Sequence, residues 1–364
     1  MFMKYHPFFI LMLLTLSACP ERTDDMEKLD SRIYMAGSYR EGNTQKACYW
    51  VNGKRINLDT PIGLDSQADS IVVKGGTVYV AGTYSDWNLL SLNYTACCWV
   101  NGKRTDLAVP EGVGYATAND IAVLETKVYI AGYYFSDDNY GVDSDSTVAC
   151  YWINGERIDM VETGSRAYAI AVRNDTVYMT GVYQDGYMSK SCLWINGERT
   201  ELDAPPDDYI SYTRIYLLDD KVCMAGIIYN GDQAQACFWV DGMRTDLSIA
   251  DIYHFELSVP AIAVSNGKLY TVGKYYSNSG KEKGYYSVDE TVIPLNVPDD
   301  TTYVYVNDLA VLDGRVYTVG HYYIGGWASD GAGFHGYHAA CYWVDGIKTD
   351  LSSEIEVYTI TIAD

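Results

Sequence analysis

Four charged residues at one repeated position along the chain, or directly before it, are the strongest candidates for chemistry. Asp69, Asp120, Arg214 and Asp308 each stand where a short β-rich run begins, such as Ile121-Ala122-Val123-Leu124. Paired carboxylates serve glycoside hydrolysis as general acid and as base or nucleophile, so convergence of these runs on a channel mouth would suit a glycan-active enzyme. Capping of strand ends and ion pairing account for the same residues without any reaction, and we favour that interpretation.

Two further groups carry the side chains that bind metals. Oxygen ligands of the kind that Ca²⁺ prefers alternate in one glycine-containing loop, at Asp137, Asn139, Asp143 and Asp145. Their order differs from that of an EF-hand, so a solvated acidic loop is the favoured explanation. The histidines His321, His335 and His338 could hold zinc, but a glycine-rich loop does not orient them in advance. The sequence therefore predicts no cofactor, with Ca²⁺ as the open alternative.

Aromatic side chains outside the repeated pattern described below are candidates for a binding surface. Exposed aromatic rings can stack on sugars or anchor a protein partner. The alternative is that these rings fold back and pack their own loops. The candidates are Trp87, Tyr94, Tyr115, Trp327, Phe334 and Tyr337.

A phrase of the form V-Y-x-A-G-x-Y, followed by A-C-Y-W-V-N-G and K-R-T-D-L, recurs along the chain and must position these residues. The copies stand 45 to 50 residues apart, and repeats of this length with several short strand-like runs predict β-propeller blades. A basic residue five positions beyond the tryptophan predicts ion pairs between strands, each of small value. The glycine of the phrase falls at Gly37, Gly82, Gly132, Gly181, Gly226, Gly273 and Gly320, and the tryptophan at Trp50, Trp99, Trp152, Trp194, Trp239 and Trp343, with Ser287 in the sixth copy.

Each repeat contains four runs, which we name A to D, and Asn-Gly or Asp-Gly pairs predict tight C–D hairpins. The first copy begins at run B, with Arg32-Ile33-Tyr34-Met35, and the chain ends in an unmatched run A, Thr359-Ile360-Thr361-Ile362. The last run can therefore complete the first sheet. The predicted fold is all-β: a seven-bladed β-propeller of four-stranded antiparallel blades, closed by the C-terminal strand, over residues 32–364.

Loop variation is confined to one side of the predicted propeller. The A–B and C–D turns are short and lie on one face, whereas the B–C and D–A connections vary and lie on the other, which we call the loop face. A rigid scaffold with variable loops is a common way to build a binding surface. We therefore expect a binding or scaffold module for a protein or glycan, with a glycan-active hydrolase or lyase as the alternative.

The nine cysteines predict packing rather than a disulfide framework. Six of them stand two residues before a blade tryptophan, so they occupy one repeat position. Equivalent atoms on adjacent blades lie about 10 Å apart, which is too far for a disulfide. The six are Cys48, Cys97, Cys150, Cys192, Cys237 and Cys341.

The N-terminus indicates export and a lipid anchor. Residues 1–18 contain one lysine and an apolar run from Phe8 to Leu16, as in a secretory signal. Leu16-Ser17-Ala18-Cys19 resembles the bacterial lipobox, which implies lipidation of Cys19, and polar residues 19–31 then serve as a tether. We expect a lipid-anchored protein of the bacterial cell envelope, at the outer membrane, and either periplasmic or surface-exposed.

Charge limits the class of partner. The chain of 364 residues holds 48 acidic and 26 basic side chains, for a formal charge of −22, which argues against nucleic-acid binding. A monomer is expected. In its V-Y-x-A-G and Y-W-x-N-G phrases the chain resembles uncharacterised bacterial lipoproteins with seven-bladed β-propeller repeats, and this resemblance implies an architecture without a known activity.

Overall fold

The computed structural model describes residues 32–88, 91–136, 146–186, 188–202, 209–218, 221–230, 233–246, 253–277, 281–289, 291–327, 334–353 and 355–363. The chain divides into two units, Met1–Ser31 and Arg32–Asp364, and the second unit holds the fold. Within these described ranges, no helix is long and apolar enough to cross a membrane.

Twenty-eight strands form seven four-stranded antiparallel sheets, so the second unit is a seven-bladed β-propeller, as the repeats predict. Blade 1 is completed by the last strand of the chain, and blades 2 to 7 follow in order. The strands are β1 (Arg32–Glu41), β2 (Thr44–Val51), β3 (Lys54–Asn57), β4 (Asp65–Lys74), β5 (Thr77–Asn88), β6 (Ser91–Val100), β7 (Lys103–Asp106), β8 (Ala116–Leu124), β9 (Lys127–Phe135), β10 (Thr147–Ile153), β11 (Glu156–Thr163), β12 (Arg166–Arg173), β13 (Thr176–Asp185), β14 (Met188–Ile195), β15 (Glu198–Glu201), β16 (Tyr209–Leu218), β17 (Lys221–Asn230), β18 (Gln233–Val240), β19 (Met243–Asp246), β20 (Tyr253–Ser265), β21 (Lys268–Tyr276), β22 (Glu282–Val288), β23 (Thr291–Pro294), β24 (Thr301–Leu312), β25 (Arg315–Trp327), β26 (Phe334–Val344), β27 (Ile347–Ser353) and β28 (Ile355–Ala363).

The ring closes where the sequence leaves complementary halves at its two ends. Strand β28 pairs antiparallel with β1, placing Ile360 opposite Met35 and Ile362 opposite Ile33. The fourth sheet position of blade 1 is therefore filled from the C-terminus. This arrangement covers the inner edge of β1, which would otherwise expose unpaired backbone groups.

The C–D turn is built the same way in all seven blades, which explains its Asn and Asp residues. The first turn residue has φ between 48° and 53°, a left-handed conformation that Asn and Asp tolerate. Its side-chain oxygen also accepts a hydrogen bond, 2.9 to 3.0 Å long, from the backbone N–H near the start of the same blade's second strand. The seven residues are Asn52, Asn101, Asn154, Asn196, Asp241, Asp289 and Asp345.

The repeated glycine is required by a β-bulge in the innermost strand. Every inner strand shifts register against its neighbour. In blade 3 the bulge turns the carbonyl of Thr117 toward Gly132, so that a Cβ on Gly132 would lie 1.9 Å from that oxygen. A side chain is therefore excluded, and the same approach occurs, at 1.9 to 2.1 Å, for Gly37, Gly82, Gly181 and Gly320.

The blade tryptophans hold neighbouring blades together. All six are at most 2 % exposed, and they pack in apolar clusters formed between adjacent blades. The indole N–H groups of Trp99, Trp152 and Trp343 also donate to backbone carbonyls of the preceding D–A connection, at 2.6 to 2.7 Å. A buried indole N–H needs an acceptor, so these bonds help to fix the distance between neighbouring blades. The tryptophan rings in addition bury apolar area.

In blade 6 serine replaces the tryptophan, and a tyrosine two residues earlier fills the space between the blades. Tyr285 occupies the position that is cysteine in the other blades, and it is completely buried between blades 5 and 6. Ser287 stands at the tryptophan position, and its Oγ lies 2.6 Å from Thr271 Oγ1. A large and a small residue have therefore changed places, which preserves the filled volume.

This exchange predicts a coupled pair of substitutions. Tyr285→Cys leaves a cavity and is expected to lower the free energy of unfolding by about 3 kcal/mol. Ser287→Trp alone overpacks the site against Tyr285. The double variant is expected to recover about 2 kcal/mol relative to the sum of the single variants, as measured by urea denaturation. Additive single effects would contradict the exchange.

The cysteines are packing residues, as predicted for those that the structure describes. Eight cysteines are buried and free, including Cys98 and Cys223 outside the repeat position. Burial raises the pKa of the Cys98 and Cys237 thiols to about 12, so neither is ionised at neutral pH.

The ion pairs at the repeated basic residue form mainly within a strand rather than between strands. Arg157, for example, pairs with Asp159 two positions on in the same outer strand, at 2.7 Å. The same arrangement links Arg104 to Asp106, Arg244 to Asp246 and Lys348 to Asp350. For these four the prediction of inter-strand pairs was wrong, because residues two apart in a strand lie on the same side of the sheet. Arg199 differs, since it reaches Glu162 of blade 3 at 3.4 Å.

Candidate binding site on the loop face

The innermost strands enclose a cavity of about 300 Å³ on the propeller axis. Residues from all seven inner strands, which begin each blade except the first and correspond to the A runs of the sequence, line this cavity. Two of the predicted channel residues, Asp120 and Asp308, are among the lining residues, together with Ser70 and Thr359 at the equivalent positions of other blades.

Asp120 links three consecutive blades. Its carboxylate accepts hydrogen bonds from the Ser70 hydroxyl at 2.7 Å and from the backbone N–H of Ile170 at 2.9 Å. The preceding residue, Asn119, donates from its amide to the Ala167 carbonyl at 2.7 Å. Both side chains of this Asn-Asp pair therefore connect inner strands across blade boundaries.

Asp308 plays the same part where the ring closes. Its Oδ2 accepts from the Thr359 hydroxyl at 2.8 Å and from the Ile360 N–H at 3.0 Å, both on the C-terminal strand. Asn307 beside it donates to the Val357 carbonyl at 2.6 Å. Arg214 lies at the equivalent place on strand β16, but its side chain is outside the described part of the chain.

Asp69, the remaining predicted channel residue, is not among the residues that line the axial cavity, and its carboxylate contacts Gln67 instead. Its Oδ1 accepts a hydrogen bond from the Gln67 amide. Because a carboxylate can only accept, this bond fixes which end of the Gln67 amide faces Asp69. The carbonyl oxygen of Gln67 is left to face elsewhere.

Gln67 lines a polar pocket between blades 1 and 2, which we call the blade 1–2 pocket. The pocket has a volume of about 210 Å³. Its wall combines amides, hydroxyls, one carboxylate and two aromatic rings, a mixture that no motif in the sequence indicated. The lining residues are Gln45, Asp65, Ser66, Gln67, Thr83, Tyr84, Ser85 and Tyr94.

Several polar side chains of the pocket are oriented by one hydrogen bond and have a second polar atom that could bond to a ligand. Asp65 accepts the backbone N–H of Gln45 through Oδ1 at 2.7 Å, which leaves Oδ2 unbonded among the described residues. Gln45 uses its amide nitrogen on Ser38 Oγ at 2.6 Å. Thr83 and Ser85 are buried, and their hydroxyls have no protein partner in the described ranges.

Tyr94, predicted from sequence as a binding residue, lies between this pocket and a group of packed rings. Its ring centroid is 4.8 Å from that of Tyr115, the second predicted aromatic, and Tyr115 is 4.8 Å from Phe135. Tyr94 and Tyr115 also form a backbone bridge between blades 2 and 3. The structure thus brings two of the six predicted aromatics together, packed partly against their own blade connections.

The other four predicted aromatics lie on extended hairpins rather than in loops. Trp87 belongs to β5, and Trp327 pairs in register with Phe334 across β25 and β26. The side chains of these three residues are outside the described part. Tyr337 is 44 % exposed, and its ring lies 6.3 Å from that of Tyr322. The calcium candidates Asp137, Asn139, Asp143 and Asp145 lie outside the described residues.

A histidine and tyrosine cluster lies in blade 7, on strands β24, β25 and β26. His321 stacks on Tyr305 at 4.7 Å and His338 on Tyr323 at 4.5 Å, with the two imidazoles 5.3 Å apart. His321 is 8 % exposed, and burial lowers its pKa to about 3, with His338 and Lys274 contributing in the same direction. Among the residues described, no group of three or more His, Cys, Asp or Glu side chains is arranged to hold a metal.

Comparisons with known proteins add to the evidence for the fold. No family model matches the chain, and no curated protein matches its sequence. Among solved structures, a prolyl endopeptidase is similar over 90 % of this chain and 50 % of its own length, with a TM-score of 0.53 and 11 % identity. This chain therefore spans half the length of that enzyme.

Two glycan-active proteins are similar at lower TM-scores. The polysaccharide lyase Uly1 matches 90 % of this chain and 89 % of its own, with a TM-score of 0.45 and 11 % identity. The endosialidase of phage phi92 matches 89 % and 66 %, with a TM-score of 0.46 and 12 % identity. At such identities the likeness concerns the fold alone.

Proposed function

We propose that the protein is an envelope binding module, anchored through a lipid on Cys19, that takes a carbohydrate in the blade 1–2 pocket. The observation that carries the proposal is a set of oxygen atoms, on Asp65, Gln67, Thr83 and Ser85, that have no hydrogen-bond partner among the described residues and lie in one pocket beside two tyrosines. Sugars offer hydroxyl groups to such atoms and an apolar ring face to an aromatic side chain.

The pocket is positioned by the scaffold and not by a long loop. Its residues come from strands β2, β4, β5 and β6, whose backbones are fixed by the sheets of two adjacent blades. Sites on such rigid elements hold polar groups with little loss of entropy on binding. This favours recognition of a ligand by preformed hydrogen bonds.

The alternative of a glycan-active enzyme at the channel mouth has less support. Asp120 and Asp308 each accept hydrogen bonds from a backbone N–H and a hydroxyl of neighbouring inner strands. A general acid needs a proton on its carboxyl group, and these bonds favour the ionised form of both residues. The same two aspartates are accounted for as links between blades.

The proposal predicts that binding depends on Tyr94. On a glycan array, the purified full chain in mild detergent is expected to bind a subset of carbohydrates. Tyr94→Ala is expected to weaken that binding at least about tenfold, because an aromatic wall of the pocket is lost. The affinity is measured by titration calorimetry with the best array ligand.

A matched variant separates this site from the rest of the loop face. Tyr337→Ala removes an exposed tyrosine of blade 7 and is expected to leave the affinity unchanged. Absence of any carbohydrate ligand would refute the proposal, and capture of one envelope protein instead would favour a protein-binding module. If Tyr337→Ala alone abolished binding, the site would lie on blade 7.

A further inference from the structure

We infer that the blade 1–2 pocket selects a single uncharged sugar unit and rejects anionic sugars such as uronic and sialic acids. This inference rests on the proposed function and names the chemical class of its ligand. It follows from three features of the pocket: the direction of its hydrogen bonds, its charge and its size.

Two of the available groups, on Asp65 and Gln67, can only accept hydrogen bonds, whereas the hydroxyls of Thr83 and Ser85 can donate or accept. The Gln67 amide nitrogen is committed to Asp69, so its carbonyl oxygen is the end that remains. Asp65 offers Oδ2, which as part of a carboxylate can only accept. A ligand matched to these atoms must donate, and a sugar hydroxyl donates readily, whereas a carboxylate, sulfate or phosphate group cannot.

The charge of the pocket acts in the same direction. Among the described residues that line it, none is lysine or arginine, and Asp65 adds a carboxylate in a chain of charge −22. Two cations near the pocket are engaged otherwise, and a third, Arg40, stands opposite Gln45 in the β1–β2 register and is exposed. The Lys46 ammonium lies 3.5 Å from the Leu64 carbonyl, and Arg104 pairs with Asp106 at 3.0 Å. An anionic sugar would therefore lose its hydration without gaining a cationic partner from the described residues that line the pocket.

The size of the pocket limits how much of a glycan it can hold. A volume of about 210 Å³ accommodates one pyranose ring rather than two. Asp69 has the role of a positioning residue here, because its bond to the Gln67 nitrogen leaves the Gln67 carbonyl as the end that remains for a ligand, and Asp69 itself does not line the pocket. The channel-mouth aspartate predicted from sequence thus acts on the ligand through its neighbour.

The test compares neutral with anionic oligosaccharides by titration calorimetry on the full chain. The probes are cellohexaose, mannohexaose and maltohexaose against trigalacturonate and a hyaluronan hexasaccharide. At least one neutral probe is expected to bind about tenfold or more tightly than both anionic probes. Tighter binding of an anionic probe, lost in Tyr94→Ala, would overturn the inference while leaving the proposed function in place. Failure of all probes and of the glycan array would remove both.

Three variants test the mechanism of selection. Gln67→Lys replaces the acceptor by a cation, and it is expected to weaken the neutral probe about tenfold while strengthening the anionic probes. Asp69→Asn allows the Gln67 amide to turn and is expected to weaken neutral binding severalfold. The matched control is Gln184→Ala, at the register position in blade 4 that Ser85 occupies in blade 2, and it should change neither affinity. Equal selectivity in Gln67→Lys and the parent chain would contradict the assignment.

Discussion

Replacement of Gly132 by alanine is expected to lower the free energy of unfolding by about 4 kcal/mol or more, to the point where little folded protein is recovered. A Cβ at this position would lie 1.9 Å from the Thr117 carbonyl oxygen and 3.0 Å from a ring carbon of Trp152. Neither neighbour can yield easily. The carbonyl belongs to the bulge of the inner strand, and the tryptophan is completely buried between blades 2 and 3.

The Gly132→Ala variant is expected to lose so much stability because the steric overlap could be relieved only by removing the bulge itself. A bulge adds one residue to the inner strand, which shifts the pairing from Ala118 opposite Gly132 to Asp120 opposite Ala131. Straightening the strand would move Asp120 away from Ser70 and Ile170. The overlap at one glycine therefore spreads to the contacts between three blades.

A matched substitution at an exposed glycine separates this effect from the general cost of replacing glycine. Gly42 has φ of 62°, and no atom lies within 4 Å of the position of its Cβ. Gly42→Asn is expected to cost less than about 1 kcal/mol, since asparagine tolerates the left-handed region. Both variants are compared by urea denaturation and by circular dichroism of the soluble fraction. A Gly132→Ala protein as stable as Gly42→Asn would contradict the role of the bulge.

The architecture could be predicted from the sequence because each blade repeats the same local solution. The left-handed turn at Asn154, the close approach at Gly132 and the buried indole of Trp152 are all properties of one residue type in one place. Repetition turns such weak local signals into a pattern. The missing first strand and the extra last strand then specify how the ring closes.

The details of the inner strands could not be predicted in the same way. The sequence indicates an inner run from Ile121 in blade 3, whereas β8 begins at Ala116. The bulge around Asn119 breaks the alternation of side chains that marks a strand, so the residues before it do not continue the apolar pattern. The extended hairpin at Trp87 was missed for a similar reason, since its polar residues resemble a loop.

The blade 1–2 pocket was missed because its members carry no motif. Gln45, Asp65, Gln67 and Ser85 are polar residues on strands of two blades, and only the packing of those blades brings them together. A usable signal was present in the segment 65–70, where every residue but Ala68 is polar, whereas the equivalent segments of other blades mix polar and apolar residues. Sequence analysis named Tyr94 and Asp69, the aromatic wall and the positioning carboxylate, without the groups between them.

The free energy of unfolding is expected to fall as the pH is lowered from about 7.5 to about 5.5, and the His321→Phe variant is expected to lack the part of that fall that His321 contributes. His321 has a pKa of about 3 in the folded state, chiefly because of burial, against an ordinary value near 6.5 when unfolded. A lowered pKa means that the unfolded chain binds a proton that the folded chain does not. The contribution of His321 to stability is therefore full above about pH 6.5 and decreases below it.

The groups around the two imidazoles provide little stabilisation for the positive charge of a protonated histidine. Tyr305, Tyr323, His338 and Lys274 surround His321, and none of them is acidic. His338 also has a lowered pKa, chiefly through burial; Glu356 opposes this shift and Arg40 adds to it. Below the unfolded pKa, His321 alone changes the free energy of unfolding by about 1.4 kcal/mol for each pH unit, and the total approaches about 5 kcal/mol near pH 3.

Phenylalanine is the informative replacement at this position. It keeps a ring to stack on Tyr305 and cannot be protonated. The Nδ1 atom of His321 is buried without a partner in the described part of the chain, so its removal breaks no hydrogen bond. The variant should consequently match or exceed the parent chain in stability at about pH 7.5.

Urea denaturation at about pH 7.5, 6.5 and 5.5 measures the difference, and the comparison between variants cancels the effect of the 48 acidic side chains. At about pH 5.5 the His321→Phe protein is expected to exceed the parent by about 1 kcal/mol more than at about pH 7.5. The same pH dependence in both proteins would show that His321 can accept a proton without loss of structure. Because Glu356 of the closing strand β28 acts on His338, which lies beside His321, the expected acid sensitivity is placed next to the ring closure.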